Sequence, residues 1–226
     1  MKTTDHVTEL ADALEKAILK GKYQAGDALP SERELSARWG VSRSVVREAL
    51  GRLTSLGLIR SRHGSGTRVE PASCRQVELG YQRLISRSDF DMAHLVQIRL
   101  PLETEIAARA AEKRTEQHLR ALEETQLVLG DSRRNLKAHV AADLRFHATL
   151  AEATGNPLFL VVLEPIQRLL IESRRRTLGQ FGSEVAYEHH GRILRAVAAG
   201  DAAAAAEAMR RHLEANYEHL RSTRPT

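Results

Sequence analysis

Histidine and aspartate side chains in the second half of the chain have the spacing of metal ligands. Asp143 and His147 are four residues apart, so a helix would place both on one face, within reach of one ion. The adjacent pair His189 and His190, and later His212, supply further imidazoles. Three imidazoles and one carboxylate suit a first-row transition ion such as Zn²⁺, Ni²⁺ or Mn²⁺. Spacing alone favours solvated or core histidines, however, because the chain contains 10 histidines and an Asp-x-x-x-His pair is frequent.

Arg99 is a second candidate, because a guanidinium beside a metal ion can bind a carboxylate. It falls on an otherwise apolar strip of a predicted helix. Glu103 follows four residues later, so an ion pair within that helix is the competing interpretation. Glu172, Arg174 and Arg175 are further polar residues that could line the same pocket, and the sequence does not decide among them.

Nucleic-acid binding is indicated in the first third of the chain. Residues 31–68 contain eight arginines and three glutamates, and this local charge of +5 equals the formal charge of the whole chain. Positive charge confined to one stretch is expected of a surface that binds phosphates. Arg43, Ser44 and Arg47 fall in the first turns of a predicted helix within this stretch. Arginine can donate two hydrogen bonds to one guanine, and serine hydroxyls can bind phosphates or bases.

The elements that would position these residues form a helix-turn-helix pattern. Residues 6–20 predict an amphipathic helix, and Ser31 with Glu34 forms a capping box that begins a second helix. Ser42 caps a third helix that continues to about Leu56. Two short helices joined by a tight turn are a helix-turn-helix, and the first turns of its second helix meet base edges in the major groove.

A β-hairpin is predicted directly after the third helix. Residues 58–61 and 67–69 predict two short strands around a glycine-rich tip that contains His63 and Gly64. Such a tip can approach a phosphate or a minor groove closely, because glycine adds no side chain. A solvated, arginine-rich surface is the competing interpretation of any one residue, but the ordered set of caps, turn, basic helix and basic hairpin favours DNA binding.

The remainder of the chain predicts a helical bundle. Residues 71–76 lack periodicity and are predicted to be a linker. Apolar residues then recur at three- and four-residue steps, which predicts six or seven helices. The predicted fold is therefore mostly α, with a winged helix-turn-helix at 1–70 and an all-α helical bundle at 77–226.

Composition excludes several classes of protein. Hydrophobic residues make up 42% of the chain and charged residues 28%, as is usual for a soluble globular protein. The single cysteine, Cys74, cannot form an internal disulfide. No stretch approaches the roughly 18 apolar residues of a membrane span, and the first residues lack the apolar region of a signal peptide. These features predict a cytoplasmic protein with no membrane contact.

Three motifs follow one another in the first domain: Pro-Ser-Glu-Arg-Glu-Leu at 30–35, Val-Ser-Arg-Ser-Val-Val-Arg-Glu-Ala-Leu at 41–50, and His-Gly-Ser-Gly-Thr-Arg-Val at 63–69. With them, residues 25–69 resemble the winged helix of the GntR family of bacterial transcription regulators. Ala25, where the family usually has proline, is a small departure in a turn. The resemblance implies a homodimer on a palindromic operator. The DNA contacts that it implies come from Arg33, Ser42, Arg43, Ser44, Arg47, His63 and Gly64.

Further motifs mark the second domain: Val-Gln-Ile-Arg-Leu-Pro-Leu-Glu at 96–103, Asp-x-x-x-His followed by Thr-Gly-Asn-Pro at 154–157, and Ala-Met-Arg-Arg-His-Leu at 208–213. Residues 77–221 resemble the FCD effector domain of the FadR subfamily, which implies that the helical bundle at 77–226 binds the effector and mediates dimerisation. The resemblance implies a bound metal ion and a small organic acid as effector. It selects His190 over His189, because His190 lies three residues before Ile193. The implied metal ligands are Asp143, His147, His190 and His212.

The sequence thus predicts a ligand-responsive, sequence-specific transcription regulator, and specifically a repressor. Its C-terminal domain would bind a divalent transition ion and a small carboxylate, with Arg99 as the effector-binding residue. A metal-dependent hydrolase with a DNA-binding appendage is the alternative, because an open His/Asp site also begins hydrolytic chemistry. Against the alternative, the sequence shows no separate general-base or nucleophile motif.

Overall fold

The computed structural model is mostly helical, and the chain divides into two compact units, Met1–Gln76 and Val77–Thr226. His63, Gly64, Cys74 and Glu172 lie outside the described residues. The structure describes residues 3–62, 66–73, 75–85, 92–131, 133, 135–171, 174–175, 178–179 and 182–222.

The first unit consists of three helices followed by a two-stranded antiparallel sheet, which confirms the predicted winged helix-turn-helix architecture. Ile59 lies opposite Val69 in the sheet, and both side chains are buried in the core of the unit. The elements are α1 (Thr3–Leu19), α2 (Glu32–Trp39), α3 (Arg43–Ser55), β1 (Ile59–Arg62) and β2 (Gly66–Val69).

Local signals determine where α2 and α3 begin and end. The Ser31 hydroxyl accepts the backbone N–H of Glu34, and the Glu34 carboxylate accepts the Ser31 N–H, which completes the predicted capping box. Gly40 ends α2 with φ 64°, a left-handed conformation that costs glycine little. Ser42 caps α3 by accepting the N–H of Val45.

The core of the first unit determines which face of α3 is exposed. Val46 and Leu53 of α3 are fully buried against Leu10 of α1 and Leu35 of α2. Because these apolar positions repeat along one side of the helix, the polar residues between them point outward. The basic face of α3 is therefore a consequence of burying its aliphatic face.

The second unit contains seven helices within its described residues, in agreement with the predicted bundle. The first of these helices begins at Arg75, two residues before the boundary between the units, so Arg75 and Gln76 of the predicted linker at 71–76 are helical. Both residues are good helix formers, so the helix can begin within the stretch predicted to be a linker. The helices are α4 (Arg75–Ile85), α5 (Met92–Lys113), α6 (Glu116–Gly130), α7 (Leu136–Ala153), α8 (Pro157–Leu169), α9 (Glu184–Ala199) and α10 (Ala202–Ser222).

An aliphatic core holds α5, α7, α9 and α10 together. Phe146 of α7 is fully buried and packs in one cluster with Ile193 of α9 and Met209 of α10. Small residues such as Ala107 and Ala205 lie in the same cluster and let the helices approach closely. Across the described part of the chain, no helix is long and apolar enough to cross a membrane.

Candidate functional site

The four predicted metal ligands meet in the interior of the second unit. Asp143 and His147 come from α7, His190 from α9 and His212 from α10. One donor atom from each residue lies within 4.8 Å of the others, and all four residues are at least 96% buried. His189, the neighbour of His190, is only half-buried, and its ring centre lies 5.7 Å from that of His212.

Helix geometry and ring packing determine how these donors are presented. The four-residue spacing on α7 places Asp143 and His147 on the same side of the helix. Phe146 lies between them in sequence and stacks on His190, with ring centres 4.0 Å apart and an angle of 10° between the planes. This stacking holds the His190 ring parallel to the Phe146 ring.

Two of the histidines are held in the neutral form. Burial lowers the pKa of His190 well below 6.5, and the nearby charges of His147 and Arg174 lower it further. Burial likewise lowers the pKa of His212, as do the adjacent His190 and His147. Neutral imidazole is the form that ligates a metal.

Unsatisfied donor atoms show that the cluster fits a metal ion. Nε2 of His147 and Nδ1 of His190 are buried without a hydrogen-bond partner in the described structure, and Nε2 of His190 lies 3.4 Å from the Asp143 carboxylate. Such atoms are rare in folded proteins, because a buried polar group without a partner is costly. Three imidazoles and a carboxylate form a donor set suited to Zn²⁺, Ni²⁺ or Mn²⁺.

Glu103 of α5 lies directly behind this donor set and is 1% exposed. One of its carboxylate oxygens contacts Nδ1 of His147, and the other accepts Nε–H of Arg99 at 2.5 Å. Burial alone would raise the pKa of Glu103, but the charges of Arg99 and His147 outweigh it and hold the pKa well below its usual range. A carboxylate in this position orients the histidine and leaves its Nε2 for an ion. Sequence reasoning considered Glu103 only as a partner of Arg99 and missed its contact with α7.

Arg99 forms the ion pair that the sequence offered as the alternative to effector binding. The ion pair with Glu103 within α5 is present, and both side chains are buried. The Nη2 group of Arg99 is also buried, and it has no hydrogen-bond partner among the described residues. The guanidinium thus retains donor capacity for an anion while its charge is partly neutralised by Glu103.

Arg174, between α8 and α9, brings a second buried guanidinium to the cluster. It is 8% exposed and contacts the carboxylate of Asp143. Burial and the charge of Arg99 lower the pKa of Arg174 to about 9, which leaves it charged at neutral pH. Arg175, which the sequence also offered as a pocket residue, is exposed.

In the first unit, the residues predicted to read bases lie on the exposed side of α3. Arg43, Ser44 and Arg47 are exposed there, and Arg33 is exposed on α2. Arg47 donates from Nε to Glu32 of α2 at 2.8 Å, which ties its guanidinium to the preceding helix.

The remaining predicted DNA contacts are Ser42 and two residues of the hairpin segment. Ser42 is exposed at the start of α3, but its hydroxyl already caps that helix and lies 2.8 Å from the Ser44 hydroxyl. His63 and Gly64 lie outside the described residues.

Other arginines of the basic stretch have structural partners. Arg60 pairs with Glu70 at 2.6 Å, Arg68 donates to the Gly26 carbonyl at 2.9 Å, and Arg52 faces Asp12 of α1. The local charge of +5 is thus divided between groups that hold the unit together and groups that face solvent on α2 and α3.

Comparison with known proteins shows two family matches that together cover most of the chain. Residues 6–69 match the family described as bacterial regulatory proteins, gntR family, and residues 94–215 match the FCD domain. The chain is 34% identical over 202 residues to the HTH-type transcriptional regulator LutR of Bacillus subtilis, with 87% of this chain and 92% of LutR covered. It is 33% identical over 208 residues to the HTH-type transcriptional repressor NanR of Escherichia coli K12, with 89% of this chain and 79% of NanR covered.

A solved structure, Streptococcus agalactiae GntR, matches with a TM-score of 0.69 and 28% identity, covering 92% of this chain and 98% of that one. Escherichia coli McbR/YncC shares the fold, with a TM-score of 0.51 and 19% identity over 96% of this chain and 97% of its own.

Proposed function

The chain belongs to the GntR family of bacterial transcription regulators and carries an FCD ligand-binding domain, and we propose that it is a repressor whose operator binding depends on a metal ion and a small carboxylate effector. The hydrolase alternative is set aside, because both matched families consist of transcription regulators and the relatives LutR and NanR are regulators by name.

One observation carries the metal proposal: four buried donors of the right chemistry converge from three helices within 4.8 Å. We propose that Asp143, His147, His190 and His212 hold a divalent transition ion. When bound, such an ion would act as a Lewis acid that anchors a carboxylate oxygen. Among the chain's own residues, Glu103 would orient His147, and Arg99 and Arg174 would supply cationic groups.

Metal analysis of the purified protein tests this proposal. We expect about one transition ion per chain, retained after dialysis against metal-free buffer. His190→Ala should abolish retention, whereas the matched variant His189→Ala should keep it, because only His190 lies within the donor cluster. Protein that binds no ion even after addition of Zn²⁺ or Ni²⁺ would contradict the metal site.

For the first unit, we propose that α3 enters the major groove and that Arg43, Ser44 and Arg47 contact base edges. The DNA backbone or the adjacent groove would be contacted by the other predicted residues, which are Arg33, Ser42, His63 and Gly64. Two copies would bind a palindrome with half-sites about one helical turn, ~34 Å, apart. The exposure of the basic side of α3 supports this assignment.

Selection from a pool of random duplexes tests the DNA proposal without knowledge of the target genes. We expect enrichment of a palindromic sequence and a dimer in sedimentation at micromolar concentration. An enriched site without twofold symmetry, or a monomer on the duplex, would contradict the dimer.

The repressor assignment is supported by the name of NanR, a transcriptional repressor that this chain resembles along most of its length. An effector that lowers operator affinity must itself bind more weakly to the DNA-bound protein, because the two bindings are linked. We expect fluorescence anisotropy of the selected duplex to fall when a small organic acid is added to metal-loaded protein. Tighter DNA binding in the presence of the acid would contradict effector-induced release.

A further inference from the structure

Glu32 of α2 holds the guanidinium of Arg47 on α3. Nε–H of Arg47 donates to Oε2 of Glu32 at 2.8 Å, so the contact joins the two helices of the helix-turn-helix. The side chains of Arg47 and Glu32 are 67% and 38% exposed. An exposed ion pair contributes little to folding stability, because water screens the charges and two long side chains must be held in one geometry. Stability is therefore a poor explanation of this contact.

The contact occupies one edge of the guanidinium and leaves another edge open. An arginine side chain carries five N–H donors in a fixed fork, one on Nε and two on each Nη. It can meet a pair of acceptors from the side, with Nε and one Nη, or from the end, with both Nη groups. Glu32 accepts Nε–H and blocks the approach from the side. The end of the fork remains for two neighbouring acceptors, such as O6 and N7 of guanine.

The negative charge of Glu32 opposes binding to DNA in general. Glu32 lies in the first turn of α2, and its contact with Arg47 places it at the surface that carries the predicted base-reading residues. A carboxylate at this surface repels the phosphates of any duplex, whatever its sequence. Its benefit must therefore come from what it does to Arg47. A group that lowers affinity for every sequence while orienting a base-reading side chain increases the difference between sequences.

Resting on the proposed DNA-binding function, we infer that Glu32 is a positioning residue that determines the base preference of Arg47. It holds the guanidinium end-on, so that Arg47 selects guanine through its two Nη groups. Arg43, the first residue of α3, has no such partner within the described part of the chain. The base preference of Arg43 is therefore independent of Glu32.

Affinity measurements on duplexes with single altered bases test this inference. Fluorescence anisotropy of the full chain is measured at one salt concentration on the selected palindrome and on duplexes in which each guanine is replaced in turn. The replacements are adenine and 7-deazaguanine, which lacks the N7 acceptor. The guanine read by Arg47 is the one whose replacement no longer weakens binding in Arg47→Ala. At that position, Glu32→Ala should lower the preference for guanine about fivefold or more, with the other positions unchanged.

Two matched variants separate the hydrogen bond from the charge. Glu32→Gln keeps an oxygen that can accept Nε–H of Arg47 but removes the charge, so it should retain most of the guanine preference. Both Glu32 variants should bind a random duplex at least as tightly as the wild type, because they lack one repelling charge. Glu48→Ala is the control, since Glu48 is exposed on α3 and forms no ion pair with Arg47 within the described residues. It should keep the full guanine preference.

A double variant tests the coupling directly. Arg47→Ala removes the base contact and also leaves the Glu32 carboxylate unpaired beside the phosphates. The variant that combines Glu32→Ala with Arg47→Ala should therefore bind the palindrome more tightly than Arg47→Ala alone. Equal or weaker binding of the double variant would overturn the inference.

The outcomes separate this inference from the function on which it rests. Unchanged guanine preference in Glu32→Ala overturns the positioning role and leaves DNA binding intact. The same loss in Glu32→Gln or in Glu48→Ala as in Glu32→Ala would show an effect of charge alone and would also overturn it. If no guanine becomes silent in Arg47→Ala, Arg47 does not read a guanine and the inference fails. If the wild type enriches no palindrome, the proposed function fails as well.

Discussion

The buried carboxylate of Glu103 offers the sharpest test of how the candidate metal centre is organised. Glu103→Gln keeps the size of the side chain and removes its charge. The amide oxygen can still accept one hydrogen bond, but the amide NH₂ cannot accept from a second donor, and Glu103 serves both Arg99 and His147. The substitution therefore breaks one of two contacts and leaves the buried Arg99 without a counter-charge.

Two magnitudes follow from this geometry. Breaking a buried ion pair by removing one partner costs about 3–5 kcal/mol, so we expect metal-free Glu103→Gln to lose about 3 kcal/mol of unfolding free energy. Removing a carboxylate that orients a ligating histidine lowers metal affinity about 10–100-fold, or about 1.4–2.8 kcal/mol. The two effects are separable, because one is measured without metal and the other as a difference between bound and free protein.

The same helix supplies a matched control. Glu105 pairs with Arg109 at 2.6 Å, again four residues apart on α5, but both side chains are about half exposed. Glu105→Gln removes the same charge from the same kind of pair, and at an exposed site it should cost at most about 0.5 kcal/mol. Its metal affinity should equal that of the wild type.

Urea unfolding in the presence of a chelator gives the stability of the metal-free proteins, and competition with a colorimetric chelator gives their affinity for Zn²⁺. Glu103→Gln with wild-type metal affinity would refute the role of Glu103 in orienting His147. Equal stability losses in Glu103→Gln and Glu105→Gln would refute the argument from burial.

Three further predictions concern DNA binding and stability. Arg47→Ala should weaken binding to the selected palindrome by about 1–3 kcal/mol and relax the sequence preference of the protein. Arg52→Ala is the control, because Arg52 lies on the side of α3 that faces α1, and this variant should retain the preference. If the two variants bind equally in fluorescence anisotropy, Arg47 does not contact the bases. Ser31→Ala removes the capping hydroxyl of α2 and should lower the free energy of unfolding in urea by about 1 kcal/mol. An unchanged urea midpoint would show that water replaces the cap. Phe146→Ala should lower the free energy of unfolding by about 3–5 kcal/mol, because the Phe146 ring is fully buried. Leu127→Ala should lower it by less than about 0.5 kcal/mol, because the Leu127 side chain is 74% exposed. Similar losses in the two variants would contradict the assignment of Phe146 to the core.

Much of the first unit could be predicted because its signals are local. Ser31, Gly40 and Ser42 act on the backbone within a few residues of themselves, so capping residues and a left-handed glycine are visible in the sequence. The start of α4 could not be placed as well, because Arg75 and Gln76 carry no capping signal and are compatible with either linker or helix.

The metal cluster was predictable only in part. The pair on α7 follows from helix periodicity, but the approach of His190 and His212 depends on how α9 and α10 pack against α7, which no local pattern encodes. Only the resemblance to a family joined these residues in advance. Glu103 shows the limit of reasoning from helix periodicity. Its contact with Arg99, four residues away on α5, was evident in the sequence, but its contact with His147 on α7 was not.

The cap of α3 restricts how this regulator can acquire new operators. Ser42 stands at the edge of the DNA-facing surface, yet its hydroxyl holds the first turn of the helix and contacts Ser44. A library that randomises position 42 for new specificity would lose helix stability in most of its members, because few residues other than Thr, Asn and Asp can replace the cap. Positions 43 and 47 do not cap the helix, and the ion pair of Arg47 with Glu32 is exposed, so substitutions at either position should cost little stability. Diversification among descendants of this protein should therefore be concentrated at positions inside α3, such as 43 and 47, with the capping residue at 42 kept nearly invariant.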